Sequence, residues 1–209
     1  MKTPMLFAGL DLGREQDHSA LAVLDGSPGA VWRVRHLRQF PLGTPYTAVL
    51  ETVARLFRSQ ALRGRYALAV DASGAGRAVA EMLVAALPKS RVLPVVLTRG
   101  RRATRTGDRL CLPSALLVSC LAGLLGARRL QVASGLPLAP RLATELQLFH
   151  ARCRPSGSQS FAASRGHDDL LFAVALGAWL AEATSQHRHK SGLDICLAAM
   201  EHKPLILLH

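Results

Sequence analysis

The sequence predicts an α/β fold built on a mixed sheet, and three observations carry that expectation. Short apolar runs rich in Val, Leu and Ala recur through the first half, at 5–11, 19–24, 66–70 and 91–97, at strand length and bounded by turn residues. The first runs follow one another through tight turns, whereas the last two flank a helical stretch. The third observation is where two of the runs stop: Leu10-Asp11-Leu12-Gly13 and Leu68-Ala69-Val70-Asp71 each end on an aspartate. A carboxylate at the tip of a buried strand is costly to desolvate unless something positive lies against it.

The elements follow in order. Residues 5–11 read as a buried strand, and Gly13 supplies a turn. Residues 19–24 form a second strand, after which Asp25-Gly26 and Pro28-Gly29 turn the chain. Residues 30–40 alternate, with Val31, Arg33, Arg35 and Leu37 on one face and Trp32, Val34, His36 and Arg38 on the other, as in a half-exposed third strand. Val49, Leu50, Val53, Leu56 and Phe57 make the stripe of an amphipathic helix over 46–60. A fourth strand, 66–70, leads through Gly74-Ala75-Gly76 into a helix over 77–87 that Pro88 stops, and a fifth strand follows at 91–97. Strand, helix, strand at this spacing implies parallel pairing with a right-handed crossover. Residues 98–107 have no apolar stripe and predict a mobile surface loop. Helices are expected over 113–126 and 140–149, with a short strand at 128–132 between them. Residues 151–154 and 159–162 flank Pro155-Ser156-Gly157 as a small C-terminal hairpin, and a last helix runs from 167 to 183.

The expected architecture is therefore a five-stranded mixed sheet, antiparallel through strands 1-2-3 and parallel through 4-5, flanked by helices. That order matches the ribonuclease H-like arrangement, in which the first strand is central and the fourth lies beside it, so that Asp11 and Asp71 end as neighbours. Residues 1–185 make one domain, and 186–209, opening with His187-Arg188-His189-Lys190, are a tail of undefined structure.

Composition narrows the function. The chain has 209 residues, enough for one full core, and 49% hydrophobic content with a mean hydropathy of +0.19 excludes a disordered chain. No apolar run reaches the ~20 residues of a membrane span, and the first ten residues carry no cleavable secretory pattern. Cys111, Cys120, Cys153 and Cys196 show no C-x-x-C spacing, which argues against a zinc ribbon and for reduced thiols in the cytoplasm. A net charge of +12 and a pI near 10.9, carried mostly by Arg, favour a phosphate-bearing partner over a merely soluble surface. Aromatic residues make up only 5%, so single-strand stacking is not indicated.

Carboxylates then define candidate chemistry. Asp168 and Asp169, after Gly166-His167, open the last helix and supply a third acidic position beside Asp11 and Asp71. Aspartate oxygens suit hard divalent cations better than His or Cys. Each has a simpler role as well: Asp11 could cap the turn at Gly13, Asp71 could cap the following helix, and one of Asp168 and Asp169 could cap the last helix. Asp17 and His167 are candidates for an outer position around the site, Asp17 six residues past Asp11 and His167 for proton transfer near neutral pH. Glu145 reads as a solvated helix residue. Arg99, Arg101, Arg102, Arg105 and Arg109 form a cluster able to track a phosphate backbone, with Arg152, Arg154 and Arg165 as further contacts.

Taken in order, Gly9-Leu10-Asp11-Leu12-Gly13 with Asp17-His18-Ser19-Ala20, then Val70-Asp71-Ala72-Ser73-Gly74-Ala75-Gly76, then 135–149, and finally Gly166-His167-Asp168-Asp169-Leu170-Leu171-Phe172-Ala173 resemble the nuclease domain of phage terminase large subunits. The likeness extends over residues 5–183. It implies a metal-dependent DNA endonuclease that cuts concatemeric DNA during packaging, with two Mg2+ or Mn2+ ions held by Asp11, Asp71, Asp168 and Asp169. Asp11 is expected to bridge the two ions and Asp71 to hold one. Implied partners are double-stranded DNA and, in a complete phage system, a separate packaging ATPase, a portal or a small terminase subunit, in the host cytoplasm and with no membrane. The sequence holds no G-x-x-x-x-G-K-[ST] phosphate loop; Lys89-Ser90 and Lys190-Ser191 lack the glycines. The expectation is a nuclease module without the motor. A Holliday-junction resolvase-like nuclease and a non-catalytic DNA-binding or packaging module are the alternatives.

Overall fold

The computed structural model describes residues 5–13, 17–27, 29–88, 91–100, 102–152 and 168–186, the side chains at 149–152 and 186 excepted. Among the described residues, eight strands and five helices follow in the order β1 (Leu6–Asp11), β2 (Ala20–Asp25), β3 (Trp32–Gln39), α1 (Tyr46–Arg58), β4 (Tyr66–Asp71), α2 (Gly76–Ala86), β5 (Val92–Thr98), β6 (Thr104–Thr106), β7 (Arg109–Pro113), α3 (Ser114–Gly126), β8 (Leu130–Val132), α4 (Ala139–Arg152) and α5 (Asp169–Gln186).

All eight strands form one sheet in the order β6-β7-β5-β4-β1-β2-β3-β8. The expected five lie at its centre: β1, β2 and β3 pair antiparallel, and β4 and β5 pair parallel beside β1. The other three extend the edges. β8, within the short strand expected at 128–132, joins β3 in parallel, a pairing the sequence reading did not include. β6 and β7 correct the sequence reading, which made 98–107 a loop: Thr104–Thr106 pairs antiparallel with Arg109–Pro113, and β7 adds in parallel to β5. Three residues reading Thr-Arg-Thr are too few and too polar to show a period, and the β7 signal is confined to buried Leu110 and Leu112. The hairpin expected after residue 150 is also corrected in part, since Ala151 and Arg152 close α4. Its remaining residues, and the tail at 187–209, lie outside the described residues.

The period of two along each strand sorts two cores. One face carries Leu10, Leu21, Leu68 and Val70, which pack with Phe57 of α1 and Leu83 of α2. The other carries Phe7, Ala20, Ala22, Leu24, Ala67 and Ala69, packed with α3, α4 and the long α5. α5 is buried on nearly every side from Leu170 to Ala181, which explains a sequence apolar all round. No helix among the described residues is long and apolar enough to cross a membrane.

Two local devices set where α5 lies. Gly9 faces it: a β-carbon there would come within 2.6 Å of the Gly177 nitrogen and still closer to the Ala173 oxygen. Strand and helix backbones therefore touch directly, which only glycine allows. The second device is a bulge in β3. Val23 pairs with His36 but Leu24 with Val34, leaving Arg35 without an opposite residue. The extra residue changes the faces: Trp32, Val34, Leu37 and Gln39 share the α5 side. This corrects the uninterrupted alternation read from the sequence, which put Leu37 opposite Trp32 and Val34.

At the C-terminal half of α5, Glu182 accepts from Trp32 Nε1 at 2.6 Å and from Arg129 Nη2 at 2.6 Å. Glu182→Ala strands both donors in a mostly buried pocket, and we expect a loss of about 2 kcal/mol, read from the urea midpoint.

Candidate active site

Asp11 and Asp71 reach one place because their strands are parallel neighbours in register. Leu10 lies beside Val70, so the next residue of each strand emerges at the same level, about 5 Å apart along the sheet. Both fall on the α5 face, continuing Phe7 and Gly9 in β1 and Ala67 and Ala69 in β4. The helix supplies the third carboxylate by matched rises. Ala173 packs over Gly9; one turn back along α5, about 6 Å, is Asp169, and two residues forward along β1, about 7 Å, is Asp11. The helix runs opposite to the strand, so the two acids meet.

The electrostatics reflect the meeting. The Asp11 carboxyl is raised well above its usual range, first by burial and then by the charges of Asp71, Asp169, Asp168 and Asp17, in that order. Asp169 is buried, and one of its oxygens accepts from Gln39 Nε2 at 3.2 Å. Asp168 is half-buried beside it. Asp17 is exposed at the rim. His167 lies outside the described residues.

The capping roles open to these acids in the sequence resolve differently. Gly13 donates to Ser19 Oγ at 3.2 Å, and its carbonyl accepts from Tyr46 Oη at 2.8 Å, so Ser19 and Tyr46 hold that turn. Asp71 Oδ1 accepts from Ser73 N at 2.8 Å, a local Asx turn, while Ala75 occupies the N-cap of α2. Asp168 holds the N-cap position of α5, its carbonyl accepting from Phe172 N at 2.9 Å.

Glu145 is the residue that sequence reasoning misplaced. It is buried, not solvated. One oxygen accepts from Leu171 N at 2.9 Å, and burial, with Asp169 and Asp168 nearby, lifts its carboxyl to about 7 against the lowering effect of that hydrogen bond and of Arg141. Its position in α4 carried the signal: three residues beyond buried Leu142 and one before half-buried Leu146, it falls on the apolar stripe. Gln39 was missed because the bulge hides its face.

Aspartate oxygens crowded enough to repel are the donor set hard divalent cations favour. As the side chains stand, no group of three or more His, Cys, Asp or Glu among the described residues could hold a metal ion. Asp71 and Asp169 each turn one oxygen to a protein donor.

The basic cluster begins at the same end of the sheet. Val95 pairs with Asp71, so Thr98 ends β5 three residues, about 10 Å, beyond it. Arg99 and Arg102 follow, both exposed. Arg105 donates to the Gly107 carbonyl at 3.0 Å. Arg109 is paired with Glu81 at 3.4 Å and Asp108 at 4.0 Å, so its charge is partly spent within the protein. Arg101, Arg154, Arg165 and the Arg152 side chain lie outside the described residues.

The fold defines the class. The structure superposes on the large terminase nuclease of thermophilic phage G20c with bound magnesium at a TM-score of 0.59, with 22% identity over 86% of this chain and 82% of that one. It matches the manganese-soaked, inhibitor-bound human cytomegalovirus terminase nuclease domain at 0.57, with 17% identity over 84% and 82%. The protein has the ribonuclease H-like fold of terminase nuclease domains. No family model matches it. Its sequence is 30% identical over 202 residues, 96% of the chain, to the terminase large subunits of Thermus phage G20c and Thermus virus P23-45. The chain is a homologue of the terminase large subunit and spans about a third of the length of those curated relatives.

Proposed function

We propose that this protein is a metal-dependent DNA endonuclease of the terminase type, hydrolysing phosphodiester bonds with two Mg2+ or Mn2+ ions. The observation that carries the reading is the Asp11 carboxyl, half-buried at the tip of β1 and pressed by acids arriving from β4 and α5. Such crowding is unfavourable to the folded chain and is relieved by bound cations. Magnesium and manganese in the related nuclease structures support the choice of metal.

Asp11, Asp71 and Asp169 would hold the ions, with Asp168 beside them. Bound there, divalent cations activate water and stabilise the leaving 3′-oxygen. The remaining work belongs to the chain. Ser73 N fixes the rotation of Asp71, and Gln39 fixes that of Asp169. Arg99 and Arg102, exposed beyond β5, meet the phosphate backbone without reading bases. Asp17 at the rim adjusts the field on Asp11. On this reading residues 1–185 form the nuclease domain, double-stranded DNA is the substrate, and a packaging ATPase, portal or small terminase subunit completes the assembly.

Supercoiled plasmid is the test substrate. Nicking is expected with Mn2+ or Mg2+, none with EDTA, and Asp71→Asn is expected to slow it by about 100-fold, since a lost ligand forfeits several kcal/mol of charge stabilisation. Cutting confined to four-way junctions and absent on linear duplex would replace the reading with a junction resolvase. DNA binding without nicking in any divalent metal would leave a non-catalytic packaging module.

A further inference from the structure

We infer that Glu145 is a positioning residue, which clamps the first turn of α5 from α4 and so fixes the direction in which Asp168 and Asp169 face Asp11. The inference rests on the nuclease reading of those aspartates. Its basis is geometric. Leu171 is the third residue of α5, and its N–H is one of the donors that a helix start leaves without an intrahelical acceptor. A helix ordinarily satisfies this donor from its own N-cap side chain. Here the acceptor comes from another helix, 26 residues earlier, at 2.9 Å in a buried setting.

The clamp has a second jaw. Arg141, one turn before Glu145 in α4, stands 3.6 Å from the other carboxylate oxygen, which is otherwise buried without a hydrogen-bond partner. Burying a carboxylate is unfavourable, and a helix whose role was only to cover the sheet would place an apolar residue here, as Leu142 and Leu146 do on either side. The position matters because Asp169 is two residues from the clamped amide and Asp168 three. Residues one apart on a helix point about 100° apart. A fraying first turn would therefore turn both carboxylates away from the sheet.

The test compares Glu145→Gln with Glu145→Ala in the full chain. Gln keeps a side-chain carbonyl for Leu171 N–H, and Arg141, partly exposed, can swing away from the new amide. We expect Gln to retain nicking and Mn2+ affinity within about threefold of the parent. Ala should lower Mn2+ affinity by calorimetry and the nicking rate at saturating DNA by about 10-fold or more, with little change in KM for DNA. Amide hydrogen exchange at 170–172 should quicken in Ala and not in Gln, while the rest of the sheet stays protected. Ala with parental affinity, rate and exchange overturns the inference. So does equal failure of Gln and Ala, which would make the charge rather than the clamp decisive. Should the parent neither nick nor bind Mn2+, the nuclease reading fails, and unchanged exchange in the Ala variant would then remove the clamp too.

Discussion

Asp11→Asn will slow plasmid nicking in Mn2+ by about 1000-fold or more, and in metal-free buffer it will raise the thermal midpoint. Both effects have one origin. On the proposed nuclease reading Asp11, pressed by Asp71 and Asp169, would hold the cations, and its loss would forfeit several kcal/mol of charge stabilisation in all. In the folded chain the same carboxyl binds its proton more tightly than the ordinary aspartate value of 3.8. The folded state therefore holds more protons than the unfolded state above that value, and stability falls as pH rises until the folded group has ionised. Asn cannot ionise, so this contribution to the downward slope vanishes, and the variant gains most over the parent at the alkaline end of that window. Thermal scans from pH 4 to pH 8 with EDTA, beside a gel assay with Mn2+, measure both. A variant that cuts like the parent, or one less stable than the parent throughout, would remove Asp11 from the centre of the site.

Gly9→Ala has the largest expected effect on the fold. The added methyl would sit 2.6 Å from the Gly177 nitrogen and closer to the Ala173 oxygen, and both atoms belong to a helix backbone that no rotamer change can move. α5 must lift or β1 must bend, at a cost of about 3 kcal/mol, a large share of the ~5–15 kcal/mol that holds a domain together. Gly177→Ala is the milder control, because its nearest obstacle at 2.6 Å is the Leu24 methyl, a side-chain tip, and the nearest backbone atoms, Gly9 N and Ala8 C, stand at 3.1 and 3.3 Å. Urea midpoints of the two variants should differ in that order. Equal, small losses would mean that the helix is not seated on β1 as described.

The central sheet was legible because its information is local. Val70-Asp71 and Leu10-Asp11 declare buried strands and where they stop, and a crossover helix leaves one handedness for the pairing. With both strands in place, the meeting of the two aspartates follows. The edges were less readable. β6 offers three polar residues to a period that needs more, and the β3 bulge inverts the face of every later residue, so Gln39 gave no sign that it reaches Asp169. Glu145 illustrates a different failure: its charge suggested solvent, while its spacing from Leu142 and Leu146 placed it inside. At such positions spacing is the better guide than residue type, because an ion is admitted to an interior only where the surroundings supply partners, here Leu171 N and Arg141.

Gly9 and Gly177 also bear on when the carboxylate pocket comes into being. During synthesis the sheet bearing Asp11 and Asp71 is finished well before α5, the last of the described helices, leaves the ribosome. Until that helix settles on the strand, the two acids face water with no third member opposite them. Completion of the pocket is thereby tied to completion of the core, and a chain halted early carries the ingredients of the centre without the centre itself.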